Sequence, residues 1–344
     1  MKNIALSGDL GKRSFGELTF YRLSIEFREM RSLTYCRSLL LVLMFLPFFG
    51  CERDVPSDGS AASAQNPPQA SEAPALVLNQ AERAHIDSLR ERGGLRVAIS
   101  NEDTIYEEQP DGTVRGLHYR MTEHLGEVLD LSVSYTPVYF AQFFELQGEF
   151  PAQVLTDPDF RYTPDLLKTH DFYAGTFTPL PWREKILDFI PVYLTRLIFI
   201  SRQGEEIDRI ADLEDKRIAI IPNTSYQSWF ETLEGINPAD LIYVESRTGL
   251  EAIEMVSAGE ADVTISDANL AIVQVRNFGN LNVTTAASRV DELAWAVAEG
   301  SELMRSILEK YIDWIKADGS FEEFWTGYYG ISSVEYLELI GYHE

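Results

Sequence analysis

The chain has 344 residues, 45% apolar and 24% charged, which suits one large globular domain or two smaller ones. Its 54 acids against 29 bases give a formal charge of −25, and no basic stripe is present, so nucleic acid is excluded as a partner. The two cysteines, Cys36 and Cys51, lie near the N-terminus and leave the globular part without a disulfide framework or a Cys-based metal site.

In chain order, residues 1–29 are polar and read as a mis-assigned start ahead of Met30. Residues 30–51 read as a lipoprotein signal peptide. Arg31 and Arg37 supply its charge, and the apolar run from Leu39 to Phe49 is short of the about 20 residues a span needs. Phe48-Phe49-Gly50-Cys51 resembles a lipobox, so Cys51 is the expected lipidation site, anchoring the exported protein to a membrane on the periplasmic side. An uncleaved N-terminal anchor is the alternative. Residues 52–78 are small, polar and Pro-rich, a disordered tether.

Beyond the tether, strands alternate with helices. "LRVAIS" (95–100), "LSVSYTPV" (131–138), "LIFISR" (197–202), "KRIAII" (216–221) and "DVTISD" (262–267) read as strands. "MTEHLGEVL" (121–129) and the stripe from Ser301 to Lys316 read as helices, the latter stopping at Asp318-Gly319. Thr248-Gly249-Leu250-Glu251 has capping-box spacing before a helix that ends near Gly259. The alternation predicts an α/β protein with mainly parallel sheets. "LLKTHDFYAGTFT" (166–178) and "MVSAGEADVTISD" (255–267) share a plan: helix end, Asp in the turn (Asp171, Asp262), then a strand with a polar end (Thr178, Asp267). Ligands of open α/β sheets bind at the carboxyl ends of strands, so two such units suggest two lobes facing one cleft.

A zwitterion needs a bidentate arginine and backbone donors for its carboxylate, and a carboxylate with a hydroxyl or carbonyl for its ammonium. Arg183, in a proline-braced aromatic turn, is the candidate fork. Asn223-Thr224-Ser225 follows a strand and opens a helix, while Asp267 and Thr178 end strands in the two halves. Pairing of Arg183 with Asp188, and helix capping by Asp267, are the structural alternatives. The five histidines are scattered, so no metal site is expected.

Asp171, Thr178, Arg183 and Asp188-Phe189 keep, without a gap, the spacing around the carboxylate-binding arginine of bacterial extracellular solute-binding protein family 3. "DLEDKRIAIIPNTS" (212–225), "GEADVTISD" (259–267), "AVAEGSEL" (296–303) and "ADGSFEEFWTGYYG" (317–330) resemble further motifs of that family in order. The resemblance runs from about Leu95 to Gly330. It implies a type II periplasmic-binding-protein-like fold, two α/β lobes joined by two crossover strands with the ligand cleft between them. Lobe one is expected at 79–196 plus 296–344 and lobe two at 197–295, with crossovers near Thr195–Phe199 and Ala294–Val297. Arg183 would grip an α-carboxylate with Ser225 and the amides around Thr224. Asp267 would hold the α-ammonium, assisted by Thr178. Tyr106 would stack on the ligand side chain, with plain surface or core as its alternative.

The resemblance further implies a monomer that needs no cofactor and delivers an amino acid to an ABC permease or a signalling partner. A sensing or envelope-interaction role is the alternative. The same lobes form the non-catalytic half of membrane-bound lytic murein transglycosylase. The chain ends soon after Gly330 and carries no H-E-x-x-H, G-x-S-x-G or Cys-His pair, so no enzyme is expected, and peptidoglycan cleavage ranks last. Four departures from the family stand out: His118 and Arg120 where acids are common, a longer insertion at 148–167 that could narrow the cleft, Asn223 in place of Gly, and Trp182 in the arginine loop.

Overall fold

Strand β1 (Leu95–Ser100) is buried at every position except Arg96, so it sits inside a sheet rather than at its surface. The chain enters it through Gly94, whose φ is +110° and where a Cβ would fall 2.2 Å from the Ser132 carbonyl oxygen. The computed structural model describes residues 75–342 apart from 206, 234–239, 245–248 and 287, all within one unit, Ser71–Glu344. The expectations for residues 1–29, the signal peptide, Cys51, most of the tether and Thr248 lie outside the described residues.

Helix α1 (Gln80–Arg92) opens on a capping box in which Asn79 and Glu82 satisfy each other's backbone N–H groups. A short hairpin, β2 (Glu107–Glu108) and β3 (Val114–Arg115), and helix α2 (Leu117–Leu129) lead to β4 (Val133–Val138). Two one-turn helices, α3 (Phe140–Phe143) and α4 (Gln153–Thr156), precede β5 (Phe172–Phe177) and β6 (Leu187–Thr195). After a single residue, Arg196, the chain enters the second sheet as β7 (Leu197–Arg202). There follow β8 (Ile218–Ile220), α5 (Ser225–Phe230), β9 (Leu241–Tyr243), α6 (Leu250–Ala258), β10 (Val263–Asp267), α7 (Ala268–Gln274) and β11 (Leu281–Ala286). The chain then returns to the first sheet through β12 (Asp291–Ala298) and closes with α8 (Glu302–Asp318), α9 (Ser320–Tyr329) and α10 (Ser333–Leu339).

The first sheet runs β4-β1-β5-β12-β6 and the second β11-β7-β10-β8-β9, which is the two-lobed type II plan. The sheets are mixed. β1 with β4 and β5, and β8 with β9 and β10, are parallel. β12 runs antiparallel to β5 and β6, and β7 to β10 and β11. A strand that crosses straight from one sheet into the other arrives running against its new neighbours, so the expectation of mainly parallel sheets is only half met. Ala294–Val297, expected to cross between lobes, lies inside β12 and pairs with β5 and β6, so the second crossing falls between β11 and β12. Among the described residues no helix is long and apolar enough to cross a membrane.

A buried network surrounds the junction of the lobes. Trp295 Nε1–H donates to His118 Nδ1 at 2.7 Å, so the imidazole carries its proton on Nε2, 2.9 Å from the Tyr193 hydroxyl. Asn269 Nδ2, from the second lobe, also donates to that hydroxyl. Burial pushes His118 down to about 3, so the ring stays neutral. Arg196 ties both crossings to the C-terminal segment, donating to the Ser288 and Ile340 carbonyls, each at 2.8 Å.

The internal likeness is one of construction. In the first lobe Asp171 N–H donates to the Arg96 carbonyl while its carboxylate accepts from Arg96 N–H at 2.8 Å and Arg92 at 2.6 Å. In the second, Asp262 N–H donates to the Arg217 carbonyl while its carboxylate accepts from Arg217 N–H at 2.9 Å, from the Arg217 guanidinium at 2.7 Å and from Arg202 at 3.3 Å. Each aspartate locks the start of the strand that ends in the cleft against its parallel neighbour. The arginine contacts hold Asp262 well below the usual carboxylate range. Removing this acceptor leaves backbone and guanidinium donors unpaired, so Asp262→Ala is expected to lose about 1–3 kcal/mol in urea denaturation. An unchanged midpoint would reduce the lock to a surface contact.

Candidate functional site

The turn between β5 and β6 carries Arg183. Its backbone is fixed by Arg183 N–H on the Leu180 carbonyl and by Ile186 and Leu187 N–H on its own carbonyl. This places the side chain between the lobes with only 1% exposed. NH1 donates to the Thr178 carbonyl at 3.0 Å, and NH2 to the Asn223 carbonyl of the second lobe at 3.1 Å. The guanidinium carbon lies 5.1 Å from the Trp182 ring centre, 5.2 Å from both Phe140 and Phe144, and 5.5 Å from Phe177, so ring faces supply part of the missing counter-charge. Nε–H is buried without a partner. Burial pulls the group down to about 9, which leaves it charged at neutral pH.

Asp188 does not pair with Arg183. It accepts from Gly300 N–H at 3.0 Å and lies 3.9 Å from Arg305, so that structural alternative is set aside. Asn223 adopts φ +62°, a left-handed conformation that Asn tolerates better than most residues, which accounts for its standing in a Gly position. The 148–167 insertion packs behind the arginine. Phe150 meets Trp182 edge-on at 5.8 Å, and Lys185 donates to the Val154 and Asp157 carbonyls. None of its residues lines the cavity, so it buttresses the aromatic box instead of narrowing the cleft.

The cavity takes Glu102, Phe140, Thr176 and Arg183 from the first lobe and Thr224, Ser225, Tyr226, Ser266, Asp267 and Gln274 among others from the second. Its space is about 50 Å³, room for a few waters and well short of an ordinary ligand pocket of roughly 300 Å³ or more. Admitting a larger molecule requires the lobes to part, which breaks the Arg183–Asn223 contact. Thr224 caps α5, accepting from Gln227 N–H at 3.4 Å and donating to the Ile221 carbonyl at 2.6 Å. Asp267 ends β10 with 4% exposed. Its side chain makes no cap bond to α7. Oδ2 accepts from the Tyr226 hydroxyl at 2.9 Å, and Oδ1 is buried without a partner. Burial pushes Asp267 up to about 7, against the Tyr226 hydrogen bond.

Arg183, Thr224, Ser225 and Asp267 thus line one cavity. Thr178 contributes its carbonyl to Arg183, and Thr176 lines the wall. Tyr106 is a correction. Its ring packs against Tyr119 at 5.7 Å and Tyr135 at 5.9 Å, away from the cavity lining, because a half-buried aromatic finds an apolar cluster there. Glu102, four residues earlier, takes the inward place. Burial pushes its carboxyl up to about 8, opposed by Ser100 and reinforced by the Asp267 charge. Among the described residues no group of three or more His, Cys, Asp or Glu could hold a metal ion.

No protein-family model matches the chain. Curated relatives named membrane-bound lytic murein transglycosylase F are similar to it. The protein of Desulfosudis oleivorans is 26% identical over 265 residues, 74% of this chain and 53% of that protein. The protein of Pseudomonas syringae pv. syringae is 23% identical over 266 residues, 75% of this chain and 48% of that protein. The chain spans about half the length of these relatives. Among solved structures, the amino acid ABC transporter substrate-binding protein AbpA of Streptococcus pneumoniae, bound to L-arginine, matches at TM-score 0.58 and 16% identity over 71% of this chain and 98% of that one. An ancestral amino acid-binding protein, a precursor of cyclohexadienyl dehydratase, matches at 0.57 and 18% over 71% and 99%. These likenesses show the fold. Together the two sets fit the resemblance to solute-binding family 3 and to the transglycosylase lobes. They also overturn one expectation: the chain was expected to be no enzyme, yet its curated relatives carry an enzyme's name over about three quarters of it. The motifs whose absence carried that expectation belong to peptidases and ester hydrolases, whereas cleavage of a glycosidic bond needs carboxyl groups, which have no such signature.

Glu102 and Asp267 both hold protons above their ordinary range, so their contribution to stability is complete at about pH 4 and is lost as pH rises through about 7 and 8. Glu102→Gln cannot ionise. Its melting temperature is expected to gain on that of the unaltered protein between pH 5 and pH 8. A constant offset across that range would place Glu102 in water.

Proposed function

We propose that this chain is an extracytoplasmic binding module that captures a small zwitterion, in the simplest case an amino acid, by closing two lobes on it. The observation that carries the reading is two orphaned atoms of opposite kind on charged side chains of one cavity, Arg183 Nε–H, a donor, and Asp267 Oδ1, an acceptor, beside a neutral orphan, Gln274 Nε2. Buried polar atoms are rarely left unpaired, and these two suit a carboxylate and an ammonium on one small molecule. Arg183 would take the carboxylate with Ser225 and the start of α5, and Asp267 with Tyr226 the ammonium. Because Arg183 and Asp267 belong to different lobes, one ligand touching both would bias the hinge towards closure.

The curated relatives support a role in the cell envelope, in a murein-processing setting. Delivery to an ABC permease is the second reading, favoured by the fold shared with AbpA. In either case we place the module outside the cytoplasm as a monomer, tethered through a lipid on Cys51. Cys51→Ser is expected to move the protein from the membrane to the soluble fraction. An unmodified Cys51 in membrane-bound protein would remove the lipid from the account.

Asp267→Asn keeps the size and an acceptor but loses the charge. It is expected to weaken binding of α-amino acids by about tenfold or more in calorimetric titration, with little change for analogues lacking the amine. Saturating amino acid should also compact the unaltered protein in small-angle scattering. If none of the twenty common amino acids binds, the reading is defeated.

A further inference from the structure

We infer that the molecule bound in this cleft carries a second positive charge besides its α-ammonium, and that Glu102 is the residue that makes the difference: the ligand class is the cationic amino acids of the lysine and arginine type. The inference deepens the amino-acid reading above and rests on it. Its basis is the charge inventory of the cavity. Its lining holds one cation, Arg183, and two carboxylates, Glu102 from the first lobe and Asp267 from the second, among neutral groups such as Thr176, Ser266 and Gln274. The arginine and Asp267 are not surface charges, being 1% and 4% exposed, and each keeps a polar atom without a partner, Nε and Oδ1. These orphaned atoms mark the cavity as a place that expects a ligand.

An α-amino acid of neutral side chain brings one anion and one cation. Its carboxylate settles Arg183, and its ammonium settles one acid. The other acid then has no counter-charge in the closed cleft and stays neutral by keeping its proton, as burial already favours, whereas a second cation would draw it into an ion pair. An acidic side chain makes this worse by like-charge repulsion. A side-chain ammonium or guanidinium gives two cations for two carboxylates and one carboxylate for one guanidinium. The count is the same whichever acid takes which cation, so the inference does not depend on the ligand's orientation. Tyr226 reinforces the assignment, since it already donates to Asp267 Oδ2 and so leaves Oδ1 as the open acceptor of that carboxylate.

The test is calorimetric titration of the full chain at pH 7.5 with L-lysine, L-arginine and L-norleucine, the last being lysine without its side-chain ammonium. Lysine and arginine are expected to bind about tenfold or more tightly than norleucine. Glu102→Gln should abolish that preference while leaving norleucine within a few-fold, and Glu102→Asp, which keeps the charge, should retain part of it. Circular dichroism checks that each variant is folded. Equal affinity for lysine and norleucine in the unaltered protein, or a preference that survives Glu102→Gln, overturns the inference. If Asp267→Asn still weakens both ligands in that case, the amino-acid reading stands and only the cationic class falls. If none of the three ligands binds, the cationic class falls, and the amino-acid reading falls with it only when the other common amino acids also fail to bind.

Discussion

Arg183 is buried to 1% exposure with its NH groups on two carbonyl oxygens, its plane among four aromatic rings and its Nε–H on nothing. Several kcal/mol oppose the burial of a charge without a carboxylate, so everything near it has to be arranged to hold it there. Phe140, Phe144, Phe177 and Trp182 provide ring faces, and the 148–167 insertion packs against that box from behind. The Thr178 carbonyl fixes the fork from its own lobe. The Asn223 carbonyl fixes it from the other, which requires a left-handed residue just ahead of α5. The guanidinium is thus both the charge a carboxylate would seek and a contact that links the lobes.

In the proposed function the same residue would tie recognition to movement. A carboxylate competing for the fork can replace a carbonyl partner with a charge-assisted one, so opening and refilling the cleft exchange one set of Arg183 contacts for another. Asp267 stands opposite with a free oxygen, and Glu102 adds a second acid. The hinge meanwhile is built from a neutral histidine, a tryptophan, a tyrosine and an asparagine, and Arg196 binds both crossings to the segment after α10. The crossings between the lobes are therefore hydrogen-bonded to the C-terminal end of the described chain.

Much of this was legible in the sequence, and the reasons are local. Arg183 and Asp267 sit at strand ends and in a proline-braced turn, where a few residues of spacing fix their place. Asp171 and Asp262 repeat the same turn in each lobe, and their hydrogen bonds match nearly one for one. Glu102 was not legible. It stands in a run with Asp103, Glu107 and Glu108, and no local pattern tells the inward acid from the solvated ones. The tyrosine cluster that takes Tyr106 is assembled from α2 and β4, outside any local window. The second crossing was misplaced because only the partners of "DELAWAVA" reveal to which sheet it belongs. Asn79-x-x-Glu82 was a readable signal for α1, a capping box in plain sight ahead of an amphipathic run.

The central claim is that the unpartnered Nε–H of Arg183 is the group that receives a carboxylate. Its resonance in a nitrogen–proton correlation spectrum, assigned by loss in Arg183→Lys, reports that bond directly. On titration with an amino acid it is expected to move downfield and exchange more slowly with water, in step with binding measured by calorimetry. An Arg183 Nε–H signal that stays in place while a saturating amino acid binds would contradict the account.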